Sequence, residues 1–153
     1  MSPWRIGLLV VGLVVASVVG LWLHQSDEEE VREAAEAIVE GANQGPFELG
    51  RALNEHATEG VSVTVADLPE PLVGRAAVVA AASRPVAGGR QLSFGMQAVK
   101  VAVEGRNARL NAELVATLQL GLRGLTRKRS GVAVFEKLHG RFRLVSVEVG
   151  GER

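Results

Sequence analysis

The chain has 153 residues, a net charge of zero and no cysteine. That leaves room for one domain plus an accessory segment, and it excludes disulfides, thiolate metal sites and a cysteine nucleophile. The charge is unevenly spread: twelve of the seventeen carboxylates lie in residues 1–70, and fourteen of the seventeen Lys/Arg lie in residues 71–153. An acidic first half and a basic second half would attract each other across a fold, or solvate two separate layers.

Ile6 to Leu23 carries no charge, and Trp4 and Trp22 stand near its ends. This length suits a membrane span, with tryptophans at both interfaces. Arg5 precedes the run and Asp27, Glu28, Glu29 and Glu30 follow it, so residues 1–26 read as an anchor. The N-terminus would lie inside and the domain, 27–153, on the outer (periplasmic) side of an inner membrane. A cleaved signal peptide, giving a secreted domain, is the rival reading.

Ser26 and Glu29 form a capping box. Val31, Ala34, Ala35, Ile38, Val39 and Ala42 then follow helical spacing, and Gly41 or Gly45 ends the helix. Pro46 opens a second helix, Phe47 to His56, with Leu49, Ala52, Leu53 and His56 on one face. Val61, Val63 and Val65 alternate with Ser62 and Thr64 as a short strand. Pro69 and Pro71 break the chain, and Gly74 to Ser83 is a third, alanine-rich helix. Pro85 and Gly88-Gly89 turn into the last third.

Four strands follow in series: Gln91–Val103, Ala108–Leu120, Lys128–Leu138 and Arg141–Val149. From Ala108 to Leu120 every even position is apolar. Leu92, Phe94 and Met96 are even but Val99, Val101 and Val103 are odd, which predicts a bulge near Gly95–Ala98 and a curved sheet. A turn at His139-Gly140 pairs Leu138 with Arg141, Glu136 with Arg143, Val134 with Val145 and Val132 with Val147. Apolar residues on both faces of this hairpin mark Val132, Val134, Val145 and Val147 as interface candidates. Arg123, Arg127, Lys128 and Arg129 read as a basic loop. A solvated hairpin loop is the plain reading; as a binding surface it suits anionic headgroups better than nucleic acid, since no aromatic stacking set accompanies it.

The expected fold is α+β: a cone-shaped curved antiparallel sheet packed by three N-terminal helices, behind one transmembrane helix. The order resembles the nuclear-transport-factor-2-like superfamily, also called SnoaL-like or ketosteroid-isomerase-like. Pro71-Leu72-Val73-Gly74-Arg75-Ala76-Ala77 is similar to that family's Gly-led third helix. Phe135 to Val147 is similar to its closing hairpin, with Phe142 at a position usually held by Trp. The resemblance implies a cone able to hold a ligand, and dimerisation through the open sheet face. It does not carry over the isomerase site. The chain has no tyrosine, and neither Asp27 nor Asp67 matches the catalytic base.

His56, on the apolar face of the second helix, is the one polar candidate for the cone. With His24 and His139 it forms no metal-ligand spacing, and no cofactor is implied. The functional expectation is a membrane-anchored, non-catalytic interaction or assembly module, with a homodimer or an envelope protein as partner. The alternative is a small-ligand binder or enzyme using the cone.

Overall fold

The computed structural model describes residues 27–82 and 91–152. Among the described residues are three helices and six strands. The described part of helix α1 is 27–44, and α2 spans Pro46–His56. Strands β1, Ala57–Val65, and β2, Leu72–Val73, precede α3, Arg75–Ala82. The meander is β3 (Gln91–Glu104), β4 (Asn107–Leu120), β5 (Arg123–Leu138) and β6 (Arg141–Glu152).

The junction of α1 and α2 follows local chemistry. Helix α1 runs through Gly41 and stops before Gly45, whose φ of 134° suits glycine. Gly41 serves the packing instead. A Cβ there would lie 2.9 Å from the Glu48 carbonyl oxygen, so its absence lets α2 close onto α1. Pro46 starts α2, where its missing N–H costs nothing. The first described residues of α1 are fixed to the β5–β6 hairpin. The Phe142 N–H donates to Glu30 Oε1 at 3.2 Å, and Lys137 Nζ lies 3.5 Å from Asp27 Oδ1.

The sheet order is β2-β1-β6-β5-β4-β3. All neighbours are antiparallel except β1 and β6, which run parallel. The sheet is therefore mixed, not purely antiparallel as expected. A parallel pair needs a long crossover, and the helix and meander between the first strand and the last supply one. β1 is also longer than Val61–Val65, and the two-residue β2 went unforeseen.

Val103 pairs with Ala108 and Val101 with Leu110, as the shared apolar parity requires. The register of β3 shifts between Gln97 and Lys100, within one or two residues of the expected bulge. The positive φ falls on Ala98, at 53°, not on Gly95. The β5–β6 turn at His139-Gly140 has φ of 52° and 80°, the pair of positive values a tight hairpin needs.

Two expectations for β5 and β6 are corrected. Leu138–Arg141 and Glu136–Arg143 pair as predicted, but the register then shifts. Val134 faces Ser146, Val132 faces Glu148 and Ala133 faces Val147. A bulge at Val145 moves Val147 to the opposite face from Val132 and Val134, where it packs against the core. The supposed basic loop is strand: β5 begins at Arg123, after a turn at Gly121, and its first residues pair fully with β4. Backbone pairing across a long hairpin outweighs the weak strand preference of arginine and glycine.

The helices cover one face of the sheet. Val31 and Ala34 of α1, Leu49 and Leu53 of α2, and Phe135 and Leu144 of the sheet are buried there. Phe135 is wholly inaccessible to solvent. Among the described residues no helix is long and apolar enough to cross a membrane. The run Ile6–Leu23 lies outside the described residues.

Candidate functional site: an apolar cavity under the helices

Side chains alternate along each strand, so every strand gives one set to the face beneath the helices. On β4 that set is Ala108, Leu110, Ala112, Leu114 and Ala116. On β5 it is Phe135, Ala133, Gly131, Arg129 and Arg127, each opposite its β4 counterpart. The bulges in β3 and β6 reset parity, so Met96 and Val99 both pack toward the core, as do Leu144 and Val147. Bulges also bend and twist strands. Here they curl the sheet around the helices.

The floor of the curled sheet is made of small residues. Ala112 faces Gly131 and Leu110 faces Ala133 across the β4–β5 pair. The roof is also thin: Ala35 and Ala42 of α1 and Ala82 of α3 look onto the same space, with Ile38 and Val78 beside them. Small residues on both layers leave a cavity of about 520 Å³. Leu114 leans across Gly131, where a Cβ would lie 2.8 Å from its Cδ1. Gly131 thus gives Leu114 its place in the wall.

The lining is apolar but for two side chains. Arg127 and Arg129 are the only ionisable residues among the described ones that line the cavity. Both lie toward the β4–β5 turn, away from the buried Phe135. Arg129 Nη1 is 2.5 Å from Asp67 Oδ2, in the turn after β1. Lys128, one residue out of phase, points to the other face and reaches Glu113 at 3.6 Å. Arg123 is exposed near the turn. The four basic residues are therefore separated by strand geometry, and only two of them meet the cavity.

His56 does not line this cavity. It ends α2, partly exposed, with Nε2 3.9 Å from Glu55 Oε2. His139 is exposed in the β5–β6 turn, and His24 lies outside the described residues. Among the described residues, no cluster of His, Asp and Glu could hold a metal ion. Of the four interface candidates, Val134 is 36% exposed on the face away from the helices and Val132 is half-buried. Val145 occupies the bulge and Val147 lines the cavity.

A smaller hollow, about 190 Å³, lies between α1 and β3. Asn43 stands at its edge and completes the sheet. Its side chain accepts from the Phe94 N–H at 2.6 Å and donates to the Phe94 carbonyl at 2.8 Å. An amide thus takes the role of a neighbouring strand on the open edge of β3.

The resemblance implies a cone able to hold a ligand, but it does not identify the residues that open it, because their signal is lack of bulk. The pattern Leu110-x-Ala112-x-Leu114-x-Ala116 and the pair Gly131-x-Ala133 contain that signal.

Comparison with solved structures places this architecture. A nuclear-transport-factor-2-like protein with a cystatin-like fold from Novosphingobium aromaticivorans superposes with a TM-score of 0.76 at 21% identity, covering 88% of each chain. A proposed dehydratase of the same family from Streptomyces avermitilis gives 0.69 at 18% identity, covering 84% of this chain and 99% of the other. The association domain of C. elegans CaMKII gives 0.67 at 12% identity, covering 83% and 97%. No protein-family model matches the chain, and no curated protein matches it either. The chain has the nuclear-transport-factor-2-like fold, and at these identities the likeness is one of fold.

Proposed function

We propose that this nuclear-transport-factor-2-like domain is a small-ligand-binding module that takes an apolar body into the cone. The observation that carries this reading is the cavity itself. Its volume of about 520 Å³ and apolar lining fall in the range of pockets that enclose small molecules. The protein from S. avermitilis is described as a dehydratase, and a dehydration needs a group that moves a proton within hydrogen-bond reach. Among the described residues the only ionisable lining side chains are arginines, whose guanidiniums offer donors and no acceptor. The chemistry of the wall thus favours binding without turnover.

The direct test is titration of the full chain with N-phenyl-1-naphthylamine, a neutral apolar probe that brightens in dry surroundings. The full chain is held in zwitterionic nanodiscs, and Ala133→Leu in the same discs is the reference. A saturable signal in the wild type that Ala133→Leu abolishes supports the reading. Equal signals contradict it.

A second reading, an assembly module, draws on Val132 and Val134. They lie on the open face, and the association domain of CaMKII shares the fold. Val134→Lys would then lower the solution mass of the protein while leaving its circular dichroism unchanged; an unchanged mass counts against it. For location, the uncharged run Ile6–Leu23 supports an anchor that holds the domain beside a membrane, on its outer side. Protease digestion of intact and permeabilised cells tests this. Digestion of the domain only after permeabilisation of the inner membrane would contradict it.

A further inference from the structure

Strand β3 is an edge of the sheet: β4 lies on one side of it and no described strand on the other. The unpaired backbone groups of an edge are a template for another chain. Which groups point outward follows from two anchors. Asn43 binds both the N–H and the carbonyl of Phe94 from outside, so Ser93, Gly95 and Gln97 are the residues bonded to β4. At the other end, the tight turn at Gly105-Arg106 makes Glu104 and Asn107 a hydrogen-bonded pair. Beyond the bulge, therefore, Lys100, Ala102 and Glu104 bond to β4, while Val101 and Val103 direct their N–H and C=O groups outward. No hydrogen bond from the described residues reaches those outward groups.

The first half of this edge is closed and the second half is open. Asn43 caps Phe94, and the positive φ at Ala98 breaks the line of the strand. From Lys100 to Glu104 the strand is regular and paired residue by residue with β4. Val101 and Val103 pack toward the core, whereas Lys100, Ala102 and Glu104 are exposed on the other face. Among the described residues neither Lys100 nor Glu104 is in an ion pair. This open segment is complementary to itself. A second copy related by a two-fold axis must pair outward residue with outward residue, so the axis passes through a residue of the segment. Centring on Lys100 or Glu104 opposes like charges. Centring on Val101 sets Lys100 against Ala102, and centring on Val103 sets it against Arg106. Only an axis at Ala102 sets Lys100 against Glu104, twice, with Val101 against Val103.

We infer that a second copy of this chain pairs antiparallel with Lys100–Glu104, its two-fold axis at Ala102, so that two sheets join edge to edge. Val101 and Val103 exchange backbone hydrogen bonds with the second copy's Val103 and Val101. Lys100 and the second copy's Glu104 then form a non-hydrogen-bonded pair, the kind that brings side chains closest, and opposite charges there are favourable. The two valine rows run on from one sheet to the next on the core side. This edge lies two strands from Val132 and Val134, so the inference uses neither the open-face valines nor the cavity.

The chain has no cysteine, so a single introduced thiol can cross-link only between copies. At the axis the two Cα atoms of residue 102 would lie about 4.5 Å apart, within reach of a disulfide. The test oxidises full-length Ala102→Cys in non-ionic detergent micelles and follows the dimer on non-reducing gels. Ser93→Cys, exposed on the same strand, is the reference for chance collision. Ala102→Cys is expected to cross-link about tenfold faster or more. In the Ala102→Cys background, Lys100→Glu and Glu104→Lys each oppose like charges, and each should slow cross-linking about tenfold. The two together restore unlike charges and should restore the rate. Circular dichroism of every variant reports the fold, and if the double reversal fails to fold, the two single reversals decide. Equal rates at Ala102→Cys and Ser93→Cys overturn the pairing. A rate that the single reversals leave unchanged, or that a folded double reversal does not restore, overturns the register and the inference with it.

Discussion

Replacing Ala133 with leucine probes the cavity from its floor. Ala133 faces Leu110 on one side and Val147 on the other, and it lines the open space. Leucine adds three carbons. If these enter empty volume, burial at about 0.8 kcal/mol per carbon gives at most about 2.4 kcal/mol. Fixing the leucine rotamer takes back about 0.5–1 kcal/mol, so a net gain of about 1–2 kcal/mol is expected. A closed, well-packed site behaves in the opposite way, because overpacking costs about 1–3 kcal/mol. The sign therefore decides the matter. Urea unfolding of residues 27–153 followed by circular dichroism reads it, with an unchanged slope showing that the unfolding reaction is the same. A midpoint shifted to higher urea fits an open cavity. A shift to lower urea would refute the reasoning and mean that Ala133 sits in filled core.

Phe135 has no accessible surface beneath α1 and α2, so Phe135→Ala should cost about 3–5 kcal/mol, a large share of the about 5–15 kcal/mol of an ordinary domain, read as a lower urea midpoint. Asn43→Ala removes two bonds to Phe94. A loss of about 1–2 kcal/mol in urea, with faster hydrogen exchange at the Phe94 amide, is expected. Ala98 sits at φ 53°. Ala98→Gly relieves about 1–2 kcal/mol of left-handed strain against about 0.4–1 kcal/mol of added unfolded-chain entropy, so the variant should match or exceed the wild type. Asp67→Asn breaks the ion pair with Arg129, but with Asp67 more than half exposed the stability change should stay under about 1 kcal/mol.

Much of the architecture is legible from alternation. The even apolar positions of β4 define a face, and the parity change between Met96 and Val99 announces a bulge, because a strand that keeps its apolar face through an extra residue must change parity. The β6 bulge has no such mark. Val132 and Val134 oppose a segment where Val145, Val147 and Val149 are all apolar, so a slipped register buries valine as well as the true one does. The segment Arg123–Arg129 misleads for another reason. Arginine and glycine signal a loop locally, whereas the partner strand β4 supplies the pairing that makes it strand. His56 drew attention as a polar group on an apolar helix face. The helix ends there, and the side chain lies beside Glu55. The cone was implied by the resemblance, but its lining was hidden because alanine and glycine read as filling in a one-dimensional pattern. Only the placement of Ala112, Gly131 and Ala133 together, under Ala35 and Ala42, turns lack of bulk into volume.

The account's central claim is that the cone holds a small molecule. Native mass spectrometry of the freshly purified full chain, released from its nanodiscs, tests that most directly. The account predicts a mass above that of the polypeptide, with one small molecule per chain lost on activation and absent from Ala133→Leu. A bare polypeptide mass, in monomer or dimer, unchanged after incubation with decanoate, decyl phosphate or decanol, would contradict it.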